Sequence, residues 1–150
     1  VLVLSYNLIG DDGVTSLAHG VSNGNLTQLQ VLDLYATRLG DRGLAALSST
    51  SIGRGKLPNL RALWLGRNEI GDEGVRSFLT AVASGSMASL KSLGLSDNQV
   101  TDVGMRLLSH KITTRGMASL KTLHVAGNLL GTEGKRAAKA CKRVDIDVIL

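Results

Sequence analysis

The pattern L-x-x-L-x-L-x-x-N-x-I-G-D-x-G returns along this chain at a nearly fixed interval. It reads LRALWLGRNEIGDEG from Leu60, LKSLGLSDNQVTDVG from Leu90 and LKTLHVAGNLLGTEG from Leu120. Before these stand LQVLDLYATRLGDRG from Leu29 and a shortened copy, VLVLSYNLIGDDG, from Val1. The complete copies start at 29, 60, 90 and 120, so the period is 31, 30 and 30 residues. A fixed period of this length excludes an ordinary globular core. Each copy is a unit too small to bury its own apolar face, and neighbours must stack to bury it jointly.

Within a copy, apolar residues two apart predict a short strand with both facing inward: Leu2/Leu4, Leu32/Leu34, Leu63/Leu65, Leu93/Leu95 and Leu123/Val125. Stacking then gives a parallel sheet with one strand per coil. The asparagine that follows (Asn7, Asn68, Asn98, Asn128) has a side-chain amide able to both donate to and accept from the inward-facing backbone of a turn. The second copy has Thr37 there, which predicts the loosest coil. Asp11, Asp41, Asp72, Asp102 and Thr132 stand two residues before a glycine and are expected as helix N-caps. Val14/Leu17, Leu44/Leu47, Val75/Phe78 and Met105/Leu108 are i, i+3 pairs that would turn a helix of about ten residues toward the sheet. Leu26, Leu57, Met87 and Met117 repeat in the return loops. Helices pack about 8–10 Å apart and strands about 4.8 Å apart, so the stack must bend with the sheet on its concave side. The expected fold is an α/β solenoid of about five coils.

Aromatic residues make up only 3% of the chain, against 43% hydrophobic, which suits identical leucine slots. A single cysteine, Cys141, excludes an internal disulfide framework and fits a reducing, cytoplasmic setting. No run approaches the roughly 18–20 apolar residues of a membrane span, and VLVL at the start is too short for a signal segment. The Asn25-Leu26-Thr27 sequon is read as accidental. The opening in mid-motif predicts a segment truncated at its N-terminus. Lys135 in place of an apolar residue, the basic GKRAAKACKR and the strand-like VDIDVIL predict a polar C-terminal cap over 135–150.

The L-x-x-L-x-L-x-x-N-x-I/L-G-D-x-G pattern resembles the leucine-rich repeat family, in its strand–helix, ribonuclease-inhibitor-like subclass. Ribonuclease inhibitor, the sensor domains of NOD-like receptors and the Ran GTPase-activating proteins share it. The resemblance covers essentially the whole chain. It implies a curved parallel sheet on the concave side, helices on the convex side, and a non-enzymatic module that binds proteins. It also admits regulation of a bound GTPase, as in the Ran regulators. The period is slightly long for the subclass, and cysteine is scarce relative to ribonuclease inhibitor.

Because the repeated slots build the coil, specificity must reside in the variable strand positions. These point to Asp33, Tyr35, Trp64, Arg67, Ser96, Asp97 and His124 as partner-contacting residues. Trp64, the one tryptophan, is expected to have its indole uncovered between Gly66 and Gly94, beside Tyr35 and Asp33. Trp, Tyr and Arg are common interface anchors. Arg67 and Asp97 should form a surface ion pair, and His124 should face solvent. No catalytic triad, paired carboxylates, metal-ligand spacing or phosphate-binding loop is present, so no enzyme activity, cofactor, metal or small-molecule substrate is expected.

Net charge is +5 with a pI near 9.7. Residues 48–62, 83–92 and 109–122 hold no acid, whereas acids gather between strand end and helix start. Arg61, Lys91 and Lys121 would form a basic ladder along one sheet edge, and Arg76, Arg106 and Arg136 a second ladder on the helices. This basic rim offers an alternative role, binding acidic segments or nucleic acid. The lack of exposed aromatics along it disfavours nucleic acid.

Overall fold

The computed structural model describes residues 1–24, 26–82, 87–142 and 146–150. Strands and helices alternate: β1 (Leu2–Val3), α1 (Gly10–Ser22), β2 (Val31–Asp33), α2 (Asp41–Leu47), β3 (Ala62–Trp64), α3 (Asp72–Val82), β4 (Ser92–Gly94), α4 (Asp102–Thr113), β5 (Thr122–His124), α5 (Thr132–Cys141) and β6 (Asp147–Ile149). The strands form one parallel sheet in sequence order, with Leu32, Leu63, Leu93, Leu123 and Val148 in register. Each helix packs on its neighbours in the same order. The result is a two-layer solenoid, with the sheet on the inner side of the bend and the helices outside.

Between the layers the leucine slots close into one core. Leu32, Leu34, Leu63, Leu65 and Leu93 are fully or almost fully buried, together with Leu44, Val75, Met105 and Leu108 from the helices. The return-loop residues Leu57, Met87 and Met117 join them, while Leu17 and Leu26 are only half-buried. The helices run 13, 7, 11, 12 and 10 residues. The short α2 continues as a π-helical segment, Ser48–Ile52, closed by an i→i+5 bond from Gly53 N–H to Ser48 O at 2.6 Å. This is the copy with the 31-residue period. The wider π turn takes up the additional residue without shifting the strand that follows, and Ser51 donates from it to Ala18 O of the preceding coil at 3.0 Å.

Two side-chain ladders tie coil to coil, and they run in opposite directions. Asn68 donates through Nδ2 to Leu34 O at 2.8 Å and Leu65 O at 3.0 Å, and accepts at Oδ1 from Thr37 N–H at 3.0 Å and Leu39 N–H at 2.9 Å. Asn98 and Asn128 repeat this, accepting from Ile70 N–H and Val100 N–H. The amide therefore satisfies the coil before its own. Thr37 is fully buried, and its hydroxyl donates within its own coil to Leu34 O at 2.9 Å. The coil it occupies is held by Asn68 instead, so the missing asparagine thins the link between the first and second coils rather than loosening the second itself.

The aspartates correct a second expectation. They are not the N-caps of their own helices. Asp41, Asp72, Asp102 and Thr132 are already the first helical residues, and Asp11 is the second. The caps of α2, α4 and α5 are Gly40, Thr101 and Gly131. Each carboxylate reaches forward to the next helix start: Asp11 accepts from Gly40 N–H at 2.7 Å, Asp41 from Gly71 N–H at 2.7 Å, and Asp102 from Gly131 N–H at 2.8 Å. Asp72 takes Thr101 N–H, Thr101 Oγ1–H and Gly104 N–H at 2.9, 2.6 and 3.0 Å. Helix starts lie side by side in the stack, so the orphan amides of one coil face the acid of its neighbour. Gly43, Gly74, Gly104 and Gly134 give the clearance this needs: a Cβ at Gly74 would stand 2.5 Å from Asp41 Oδ1. In the last coil Thr132 replaces the acid, and β6 follows α5 in place of a further helix start.

Candidate functional site: the concave sheet

The side chains that alternate with the leucines stand on the concave face, and their arrangement departs from the expected one in a consistent way. Trp64 is half-buried and outside the core. Its indole is not uncovered beside Tyr35. It leans toward the later coils, lies over Gly94, and meets His124 edge to face, with ring centroids 5.3 Å apart and planes at 81°. A Cβ at position 94 would stand 2.5 Å from Trp64 Cε3, so the absence of a side chain there is what lets the indole lie down. His124, expected to face solvent, is half-buried against that ring.

Tyr35 does the same one coil earlier. Its ring lies over Gly66, where a Cβ would approach Cδ2 and Cε2 to 2.9 Å, and its other neighbour is Tyr6 at 5.4 Å between centroids. Asp97 follows the pattern too. Its carboxylate leans over Gly127 instead of turning back to Arg67, and the expected Arg67–Asp97 ion pair is not formed. Both residues lie in the left-handed region, with φ of 56° and 54°, in a row that also holds Tyr6, Ala36 and Gly127. That conformation costs a non-glycine residue about 1 kcal/mol. It sets where their side chains leave the turn, which sequence spacing cannot reveal.

Asp33 is committed to the backbone: Oδ1 accepts from Tyr35 N–H at 2.9 Å and holds the strand end beneath that ring. Ser96 is half-buried on the same face. The concave surface therefore presents two aromatic pairs, Tyr6–Tyr35 and Trp64–His124, each laid across a glycine slot. Such pairs contribute about 0.5–1.5 kcal/mol beyond their buried area. Tyr6 was absent from the expected contacts. The signal for it was available in its row, which places it one coil before Ala36 and within ring reach of Tyr35.

Along the edge where the chain enters each strand, Arg61, Lys91 and Lys121 are exposed and stacked in register. Lys91 N–H donates to Arg61 O, and Lys121 N–H to Lys91 O, both at 2.8 Å. On the outer side of the stack, Arg76 and Arg136 pair with Glu73 and Glu133 one turn back, each at 3.4 Å. Among the described residues no group of three or more His, Cys, Asp or Glu could hold a metal ion, and no helix is long and apolar enough to cross a membrane. Cys141 is buried, which pushes its thiol pKa up, and Sγ lies 3.7 Å from Ala137 O. The sequon's Asn25 and the acid Asp145 lie outside the described residues.

A stack of strand–helix coils, with a parallel inner sheet and a variable inner surface, defines a leucine-rich-repeat solenoid. The sequence matches the leucine-rich repeat family over part of its length. A model described as Leucine Rich repeat matches residues 1–18, 56–79 and 86–109. Domains of this family generally act as protein-interaction modules and are typically non-catalytic. Among solved structures, the chain is similar to an internalin from Listeria monocytogenes at 20% identity and a TM-score of 0.48. The alignment covers 86% of this chain and 36% of that one, so the chain spans about a third of the internalin's length. No curated protein matches the sequence.

Proposed function

We propose that the chain is a non-enzymatic, single leucine-rich-repeat domain of about five coils, capped over 135–150, that binds a protein partner on its concave sheet. The observation that carries this reading is the pair of aromatic clusters. Nothing in the coil's construction requires Trp64, His124, Tyr35 or Tyr6; the leucine, asparagine and aspartate ladders are complete without them. Yet Gly66 and Gly94 stand where the rings need room. Rings held flat over backbone are rigid and lose little entropy when a partner covers them, as interface anchors do. Asp33 acts as a positioning residue beneath Tyr35, while Arg67, Ser96 and Asp97 contribute polar contacts around the rings. The one cysteine, a buried thiol, fits a cytoplasmic protein.

The test compares the wild type with a Tyr35→Ala/Trp64→Ala double variant, both immobilised and exposed to the same cell extract. Proteins retained by the wild type should be lost from the double variant, while circular dichroism and melting temperature stay close to wild type. Retention of the same proteins by both would move the binding surface off the concave sheet.

A further inference from the structure

The two rims of the solenoid differ in a way that bears on the partner's chemistry. On the helix-start rim Asp11, Asp41, Asp72 and Asp102 are engaged, each carboxylate holding amides of the next coil. The opposite rim holds Arg61, Lys91 and Lys121, all exposed and without an ion pair among the described residues. Their backbones follow one another across the sheet through 2.8 Å hydrogen bonds, so the like charges start from points about 4.8 Å apart. Helix dipoles do not account for them. The preceding helical segments end at Ile52, Val82 and Thr113, eight or nine residues earlier, and the dipole acts only within the last turn. Three aligned cations with no structural partner repel one another, and an anionic ligand removes that repulsion.

We infer that this rim receives an acidic segment of the protein partner, laid across the strands with two or three carboxylates facing Arg61, Lys91 and Lys121. The inference rests on the reading of the domain as a protein-binding module. Length selects a peptide over a nucleic acid. The ladder opens at neutral Gln30, which accepts from Arg61 N–H, and closes at buried Ile146, because Asp147 is in register with Thr122. Three cations therefore span about 10 Å at strand spacing. Carboxylates four apart on a helix, or two apart on a strand, recur every 6–7 Å or so, which long Arg and Lys stems match. Single-stranded nucleic acid needs aromatic platforms beside the cations, and the row of Arg61, Lys91 and Lys121 holds no aromatic residue.

The probe is a fluorescently labelled deca-glutamate peptide, titrated by anisotropy at low salt. Wild type should bind, and Arg61→Gln/Lys91→Gln/Lys121→Gln should weaken binding about tenfold. A variant with the same charge change on the helices, Arg106→Gln/Lys135→Gln/Lys139→Gln, should lose no more than about twofold. Equal losses in the two triple variants, or no loss in the rim variant, would overturn the inference. So would a single-stranded oligonucleotide of equal charge binding more tightly than the peptide and losing that binding in the rim variant. A failed titration with protein retention that still depends on Tyr35 and Trp64 would overturn the rim alone, which separates it from failure of the concave sheet.

Discussion

Asparagine 68 provides the sharpest test of how the coils are joined. Replacing it with alanine removes the acceptor of two buried amides, Thr37 N–H and Leu39 N–H. The carbonyls it serves each keep another partner: Leu34 O retains the Thr37 hydroxyl, Leu65 O retains Asn98 Nδ2, and Gly66 O retains Ala36 N–H. The cost therefore comes mainly from two orphaned donors at about 1–3 kcal/mol each. A loss of about 3 kcal/mol is expected for Asn68→Ala. Asn98→Ala orphans Ile70 N–H alone and should cost about half as much. The exposed Asn7 bonds only to Leu4 O and Ser5 O, so Asn7→Ala should cost under about 1 kcal/mol. Urea unfolding followed by far-UV circular dichroism gives all three, with midpoints shifted and m unchanged while unfolding stays two-state. If Asn68→Ala costs no more than Asn7→Ala, the ladder is not what couples the coils.

Two further outcomes follow from the same geometry. Gly104→Ala should destabilise by driving a methyl group into Asp72 Oδ1, and should cost less in an Asp72→Ala background, a sub-additive cycle readable by urea titration. Additive costs would mean that the glycine is required for some other reason. For Cys141, burial raises the folded thiol pKa above its unfolded value, so the contribution of the neutral thiol is complete below the unfolded pKa and is lost as pH rises through the folded one. Melting temperature should fall at alkaline pH more in the wild type than in Cys141→Ala, and thiol alkylation of the folded protein should be slow; parallel pH curves would refute this.

The thirty-residue rhythm was enough to determine the coil, the parallel sheet and the core. Leucine spacing of two and then three or four has one way to bury itself when copies stack, and Leu63 and Leu65 could face nowhere else. The role of the asparagines was legible for the same reason, since a buried turn must have its amides met. The direction of each bond was not legible. Asp41, expected to cap its own helix, serves the next helix start, and Asn68 serves both its own turn and the turn about thirty residues before it, because stacking sets adjacent helix starts and adjacent turns side by side. The inner surface divides the same way. Sequence alternation placed Trp64 and Tyr35 outside the core, but only the tertiary structure decided where the rings lie. That depended on Gly66 and Gly94, each one coil ahead of the ring it admits, and so on packing between repeats rather than within one.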